Sequence, residues 1–233
     1  MTYHPAGQRP CRVGSALVID DHPLYAAALE SALTQLFAGC DVRTATTLEN
    51  GLDALRRGFE PDLAILDLKL PDATGISGFL RLRDAARMPV LINSAVTTPE
   101  VVASLMEAGA AGFVPKDVSI SVLTTAICEV RSGRSFVPAD YAGAVEGKRA
   151  GAGSLYAVAR KIADLTPQQT RIMRLICEGM PNKQIAYELS LAEATVKAHI
   201  TAILRRLGVH NRTQAALLME GAALQEGGEA ERR

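Results

Sequence analysis

The sequence predicts an α/β domain on a parallel five-stranded sheet, then a linker, then an all-helical domain. Three observations predict this. From Val13 to about Gly133, short apolar runs alternate with helical segments of about ten to fifteen residues, the pattern of a parallel sheet with helices on both faces. From Ser132 to about Ala163 that rhythm breaks into a stretch with Gly133, Pro138, Gly143, Gly147, Gly151, Gly153 and many alanines, a linker composition. From Leu165 onward the strand pattern is gone and apolar residues recur at helical spacing.

In the first part, strands are expected at 15–20, 41–46, 63–67, 89–94 and 112–115, and helices at roughly 23–37, 47–58, 75–86, 98–108 and 118–132. Five strands in a segment of this size fit a flavodoxin-like sheet of order 2-1-3-4-5. Leu155–Ile162 is expected as a short helix at the end of the linker. Thr166-Pro167-Gln168-Gln169 is a strong helix start, with Thr as N-cap, Pro at the first position and Gln three residues after the cap. That helix should end near Gly179. A short helix follows over about 183–189 with Asn182 as its cap, then a longer one over 193–207 closed by Gly208 at C′. A last helix starts after Asn211. Short helix, tight turn and longer helix make a helix-turn-helix, here within a four-helix domain.

The bulk numbers exclude several classes. Hydrophobic content of 48% is ample for a buried core in a chain of 233 residues, enough for two small domains. Formal net charge is zero, so the chain is no diffuse polycation, and any nucleic-acid contact must be local. Cys11, Cys40, Cys128 and Cys177 are scattered, with no CxxC and no His at metal spacing, and read as reduced thiols of a cytosolic protein. Met1–Gly14 carries Arg9 and Arg12 but no apolar h-region, so no secretory leader is expected. No apolar stretch reaches the ~18 to 20 residues that span a bilayer, so a cytoplasmic protein without membrane contact is expected.

Four of the apolar runs deliver a functional group at the C-terminal end. Ala16–Ile19 ends in Asp20-Asp21, Leu63–Leu66 in Asp67, Val90–Asn93 in Ser94, and Gly112–Pro115 in Lys116. In a parallel sheet these ends share one edge, where ligands bind. Singly, each is an ordinary cap, turn residue or solvated charge; together they suit a divalent cation and a phosphoryl group. Asp20, Asp21 and Asp67 offer the oxygen ligands that Mg²⁺ wants. With the charge of the donor screened, Asp67 can act as a nucleophile and form an acyl phosphate, with Lys116 and Ser94 on the phosphoryl oxygens.

At these residues segment 13–131 resembles the receiver domain of two-component response regulators. The resemblance rests on Asp20-Asp21, Asp67 with Pro71 at plus four and Gly75 at plus eight, Ser94, and Lys116 with Pro115 before it and Phe113 three residues upstream. It implies that Asp67 accepts the phosphoryl group from a histidine kinase. It further implies that Asp21 binds Mg²⁺ directly, Asp20 does so mainly through water, and the backbone carbonyl of Lys69 completes the metal shell. Ser94 and Phe113 would be the switch pair, the hydroxyl moving to the phosphate and the ring turning inward. A dehalogenase-type phosphatase also uses an Asp nucleophile after a strand, but would want a second Asp where this chain has Lys69.

The stretch Leu165–Leu218 resembles the LuxR-type DNA-binding domain of the NarL/FixJ regulators. The matching residues are Leu165-Thr166-Pro167, Glu178-Gly179, Asn182–Ala186, Ala194–Ile200, Ile203-Leu204, Leu207–Val209 and Asn211–Ala215. The residues alone agree. Val196, Ile200, Ile203 and Leu207 recur as one buried stripe, leaving Lys197, Ala198, Thr201 and Arg205 for a groove. Lys183, Lys197, Arg205, Arg206 and Arg212 face only Glu188 and Glu193 between 182 and 212, so basic character is confined to the motif. Lys197 is placed for a guanine edge and Lys183 for the DNA backbone. The DNA-binding set this implies is Lys183, Thr195, Lys197, Ala198, Thr201, Arg205 and Arg212. The chain departs from the family pattern at Ala192, where a Ser often caps the third helix, at Ser190, where Gly is common, and at Thr201, where some members carry Lys.

The expected organisation is thus a receiver at 13–131, a linker at 132–163 and a helix-turn-helix domain at 164–222. The expected function is a regulator of transcription, itself no enzyme beyond its own Mg²⁺-dependent phosphoryl transfer. DNA carrying an inverted repeat, a histidine kinase and a second copy of the chain on phosphorylation are its expected partners. A regulator of the same build that works without phosphorylation, through partner contacts, is the alternative. A quorum-sensing regulator would lack the Asp67 and Lys116 constellation.

Overall fold

The structure is a computed structural model that describes residues 11–95, 98–147 and 153–224. The expected lack of a leader rests partly on residues before Cys11, and that stretch, like Gly151 of the linker, lies outside the described residues. The first half forms β1 (Ser15–Ile19), α1 (Pro23–Leu36), β2 (Asp41–Ala45), α2 (Leu48–Arg56) and β3 (Leu63–Leu66). A small hairpin follows, β4 (Lys69–Leu70) with β5 (Ala73–Thr74). Then come α3 (Gly75–Ala85), β6 (Val90–Ser94), α4 (Pro99–Glu107), β7 (Gly112–Pro115) and α5 (Ile120–Arg131). The large sheet is parallel with order β2-β1-β3-β6-β7, which is 2-1-3-4-5 when only its own strands are counted.

The strand sequences explain their places. β3 (LAIL) and β6 (VLINS) are buried at every position, and β1 at all but the first, because helices cover both faces of the sheet. β2 (DVRTA) is mostly exposed and polar, as an edge strand that must not recruit another chain should be. Alternate residues feed two cores. Leu17, Ile19, Ala64, Leu66, Ile92 and Phe113 point toward the α2–α4 side. Ala16, Val18, Leu63, Ile65, Leu91 and Val114 point toward α1 and α5. The hairpin was not expected from the sequence. Its Asp72 carboxylate accepts from the Leu48 and Glu49 amides at 2.9 and 2.8 Å, capping α2 from 24 residues away alongside the local Thr47 cap.

The stretch read as a linker is largely structured. Phe136 runs beside β7: the Phe113 amide donates to the Phe136 carbonyl at 2.8 Å, and a Cβ on Gly112 would stand 2.7 Å from that oxygen. Only a glycine lets the two backbones approach so closely. α6 (Ala139–Gly147) then packs on α4. α7 (Gly153–Ala163), foreseen as Leu155–Ile162, packs on α3 and also against the helices that follow. Arg160 of α7 pairs with Asp84 of α3, while Lys161 Nζ donates to the Leu207 carbonyl at 3.1 Å.

The second half comprises α8 (Pro167–Cys177), α9 (Asn182–Glu188), α10 (Glu193–Leu207) and α11 (Arg212–Leu224) around a core of Ile172, Met173, Ile185, Val196, Ile203 and Leu207. The Thr166–Gln169 capping box is formed in both directions, and Gly208 closes α10 in the left-handed region. Two expectations change. Asn182 is the first residue of α9 and makes no cap; Pro181 holds the cap position with no side-chain bond to give. Ile200 is only half-buried, because it borders the open groove between α9 and α10. Among the described residues no helix is long and apolar enough to cross a membrane, and none of the four cysteines is in a disulfide. The Cys11 thiol is pushed up to about 12 by burial and by its hydrogen bond to Cys128, so it should alkylate far more slowly at pH 8 than a free thiol, as peptide mapping would read.

Candidate phosphoacceptor pocket and DNA-reading face

The C-terminal edge of the sheet gathers the expected groups. Asp67 and Asp20, each at the end of a buried strand, are 3% and 2% exposed. Two carboxylates buried side by side need a counter-charge. Lys116, delivered by β7, supplies it: its Nζ lies 2.7 Å from Asp20 Oδ2 and 2.7 Å from Asp67 Oδ2. Burial works against the charged amine, but the bonds from Asp20 and Asp67 outweigh it and hold Lys116 above its ordinary value. The amine is 4.8 Å above the Tyr25 ring, whose hydroxyl donates to Asn93 Oδ1 at 2.7 Å. Asn93 Nδ2 in turn bonds the Val114 carbonyl at 3.0 Å, locking β6 to β7 beside the site. Burial of the Tyr25 phenol raises its pKa, so the ring stays a neutral donor.

Asp21 is more open than Asp20 and Asp67 and completes an acidic group with them. Lys69 opens β4, and its amide reaches Asp67 Oδ1 at 3.3 Å. Ser94 is 1% exposed, and its hydroxyl has no hydrogen-bond partner among the described residues. A buried hydroxyl left unmatched costs about 1–3 kcal/mol, which an arriving acceptor oxygen would recover. The donor set of hard carboxylates, with this unmatched hydroxyl on the same edge, fits a hydrated divalent cation such as Mg²⁺ together with a phosphoryl group.

Phe113 is 1% exposed, with its ring edge-on to Tyr141 of α6 at a centroid distance of 4.9 Å. The aromatic expected to switch is therefore already inward and touches the segment that leads to the second half. Sequence reasoning missed four groups here: His22, Tyr25, Asn93 and Tyr141. His22 and Asn93 sit directly beside named site residues, which was the available signal. Tyr25 and Tyr141 meet the site only through tertiary packing.

On the second half, Lys183, Thr195, Lys197, Ala198, Thr201 and Arg205 are all exposed. Lys197 is paired with Glu193 at 3.0 Å across one helical turn, an exposed pair worth about 0–1 kcal/mol and easily given up. Arg212 is half-buried and donates to the Met180 carbonyl at 2.8 Å, which fixes the turn between α8 and α9. Asn182, Lys183, Glu193, Ile200 and Arg212 line one open groove between α9 and α10. Ala192 gives α10 no side-chain cap. Ser190, in the turn of the motif, has φ +53°. A side chain in that region costs roughly 1 kcal/mol, so Ser190→Gly should raise the stability of this half by about that amount in thermal unfolding.

Comparison with known proteins agrees with both halves. A family model for the response regulator receiver domain matches residues 16–128, and one for bacterial regulatory proteins of the luxR family matches 163–219. The glycerol metabolism activator of Pseudomonas putida is 37% identical over 204 residues, covering 86% of this chain and 92% of that protein. The DNA-binding transcriptional activator DevR/DosR of Mycobacterium tuberculosis is 35% identical, covering 86% and 91%. In fold, a structure of the Salmonella typhimurium RcsB response regulator superposes with a TM-score of 0.53 at 19% identity, covering 88% of this chain and 98% of that one. With a receiver domain ahead of a LuxR-type helix-turn-helix, the chain belongs to the NarL/FixJ family of DNA-binding response regulators.

Proposed function

We propose that Asp67 accepts a phosphoryl group from a histidine kinase and that this modification controls how the C-terminal half engages DNA in the cytoplasm. The observation that carries the reading is the buried Asp67 carboxylate, held by Lys116 beside the unmatched Ser94 hydroxyl. Asp20, Asp21, Asp67 and the backbone carbonyl of Lys69 would hold Mg²⁺, which when bound offsets the charge of the incoming phosphoryl group. A carboxylate oxygen of Asp67 attacks phosphorus, the P–N bond to the kinase histidine breaks, and its electron pair leaves with the imidazole. Lys116 gives up its contact with Asp67 to pair with a phosphoryl oxygen, and Ser94 donates to another. With an acyl phosphate donor and Mg²⁺, the protein should gain the mass of one base-labile phosphoryl group, and a chelator should prevent it. No gain under those conditions would favour a regulator of the same build controlled by partner contacts.

We assign 13–131 to the receiver, 132–163 to the connecting segment and 164–222 to the DNA-binding domain. Phe113 against Tyr141 provides a route by which a change at the switch pair reaches α6. The reading residues of α10 are exposed in this unmodified chain, which favours control by pairing of two copies over control by uncovering the helix. Two such helices one helical turn apart read an inverted repeat. Lys197→Ala should cost roughly 1–3 kcal/mol and relax preference at one position of each half-site. Lys183→Ala should weaken binding to all duplexes and flatten the salt dependence by about one unit of slope. Salt titrations of both variants on specific and scrambled duplexes check this. Equal, sequence-independent losses would move the base contact to Ala198, Thr201 or a neighbour.

A further inference from the structure

We propose that Cys11 and Cys128 are a redox-modified pair, which closes to an intramolecular disulfide when a hydroperoxide reaches it. The pair lies at the N-terminal edge of the sheet, at the opposite end of the strands from Asp67, and takes no part in the phosphoacceptor pocket.

Several contacts bring the two residues together. Cys128 sits in the last turn of α5, and Arg131 follows it by three residues, which puts both on one helix face. Arg131 Nε donates at 3.4 Å to the carbonyl of Arg12, the residue next to Cys11, and its Nη1 donates to the Asp62 carbonyl at 2.8 Å. The Asp62 carboxylate accepts from the Gly14 amide at 2.7 Å, and Val13 is buried. The backbone just after Cys11 is therefore fixed against the end of α5. That seats the Cys11 thiol on Cys128, to which it is hydrogen-bonded. Both side chains pack against the core shared by α1 and α5, and both are half-buried, whereas Cys40 is buried. A small oxidant can reach the pair. Thiols already in contact need only side-chain rotation to approach the S–S bond length of about 2.05 Å.

The surroundings set the order of events. Burial, then the hydrogen bond to Cys128 and the charge of a Cys128 thiolate, hold the Cys11 proton up to about 12, with Arg131 pulling the other way. Cys128 is therefore the sulfur that meets the oxidant first. Its thiolate attacks one peroxide oxygen, the O–O bond breaks, and the departing oxygen takes a proton and leaves as water. Cys128 is left as a sulfenic acid. Being neutral, it no longer holds the Cys11 proton by charge. The Cys11 sulfur then attacks the Cys128 sulfur, the S–O bond breaks, and hydroxide leaves as water with the proton that Cys11 gives up. Two thiols lose two electrons, and hydrogen peroxide gains them as two waters. The new bond joins residues 11 and 128, closing nearly the whole receiver into one loop, and cross-links over long loops constrain the unfolded chain most. In a reducing compartment such a bond is transient and senses oxidant.

Non-reducing peptide mapping of the full chain after treatment with hydrogen peroxide, with remaining thiols blocked in denaturant, tests the proposal. The wild type should lose the mass of two hydrogens and carry a Cys11–Cys128 cross-link. Its melting temperature should rise by about 5 °C or more, and dithiothreitol should reverse the rise. Cys11→Ser should lose the cross-link and the rise, and should accumulate a sulfenic acid on Cys128 that dimedone captures. Cys128→Ser should lose both as well. A cross-link through Cys40 or Cys177, or between two chains, in place of Cys11–Cys128 overturns the proposal. So does recovery of Cys11 and Cys128 as thiols at a peroxide dose that oxidises a free cysteine peptide.

Discussion

Asp67→Asn is expected to abolish covalent phosphorylation. Only the carboxylate offers an anionic oxygen to phosphorus; the amide is neutral and a poor nucleophile. The substitution keeps the shape of the side chain, and Lys116 retains Asp20 as a partner at 2.7 Å, so the fold should stand. Intact mass after treatment with acetyl phosphate and Mg²⁺ reads the result directly. Wild type gains one acid- and base-labile group and the variant gains none. Equal labelling of the Asn variant would place the acceptor on another carboxylate, with Asp21 the nearest accessible one.

The second large effect is expected from Lys116→Ala. Its amine is the common partner of two carboxylates that are almost wholly buried. Removing one partner of such a group leaves buried charge uncompensated, which typically costs 3–5 kcal/mol. Part of this should return when Mg²⁺ is added, because a cation at the same acids takes over the role of counter-charge. Denaturant unfolding of the variant should therefore show a larger Mg²⁺-dependent gain than wild type. A variant as stable as wild type without Mg²⁺ would mean that the carboxylates find protons or His22 instead, and that Lys116 matters only for the phosphoryl group.

The large sheet, its order and the meeting of Asp20, Asp21, Asp67, Ser94 and Lys116 were legible because short strands buried on both faces write continuous apolar runs. The residue that follows each run must then lie at the C-terminal edge. The capping box at Thr166 and the Gly208 stop were legible for a similar reason: a local backbone need is met by local residues. What escaped was set by tertiary contact. The β4–β5 hairpin carries Asp72 to the start of α2, where it accepts from the Leu48 amide 24 residues away. The Gly- and Ala-rich composition read as a linker with one short helix, yet its alanine-rich stretches with Tyr141, Tyr156 and Ala159 find apolar cover on the receiver and become α6 and α7. His22 was not singled out, because nothing in the sequence but its place beside Asp20-Asp21 marks it. Its ring is drawn to the acids by a charge density that only the folded edge creates.

The central claim is that chemistry at Asp67 changes the behaviour of a DNA-binding surface in the other half of the chain. The most direct test is the affinity of the full chain for a duplex that it selects from a random pool, measured with and without prior phosphorylation at fixed salt. The account predicts severalfold tighter binding and a shift to two copies per duplex after phosphorylation of the wild type, with neither change in Asp67→Asn. Identical affinity and stoichiometry for the phosphorylated and unmodified wild-type chain would contradict it.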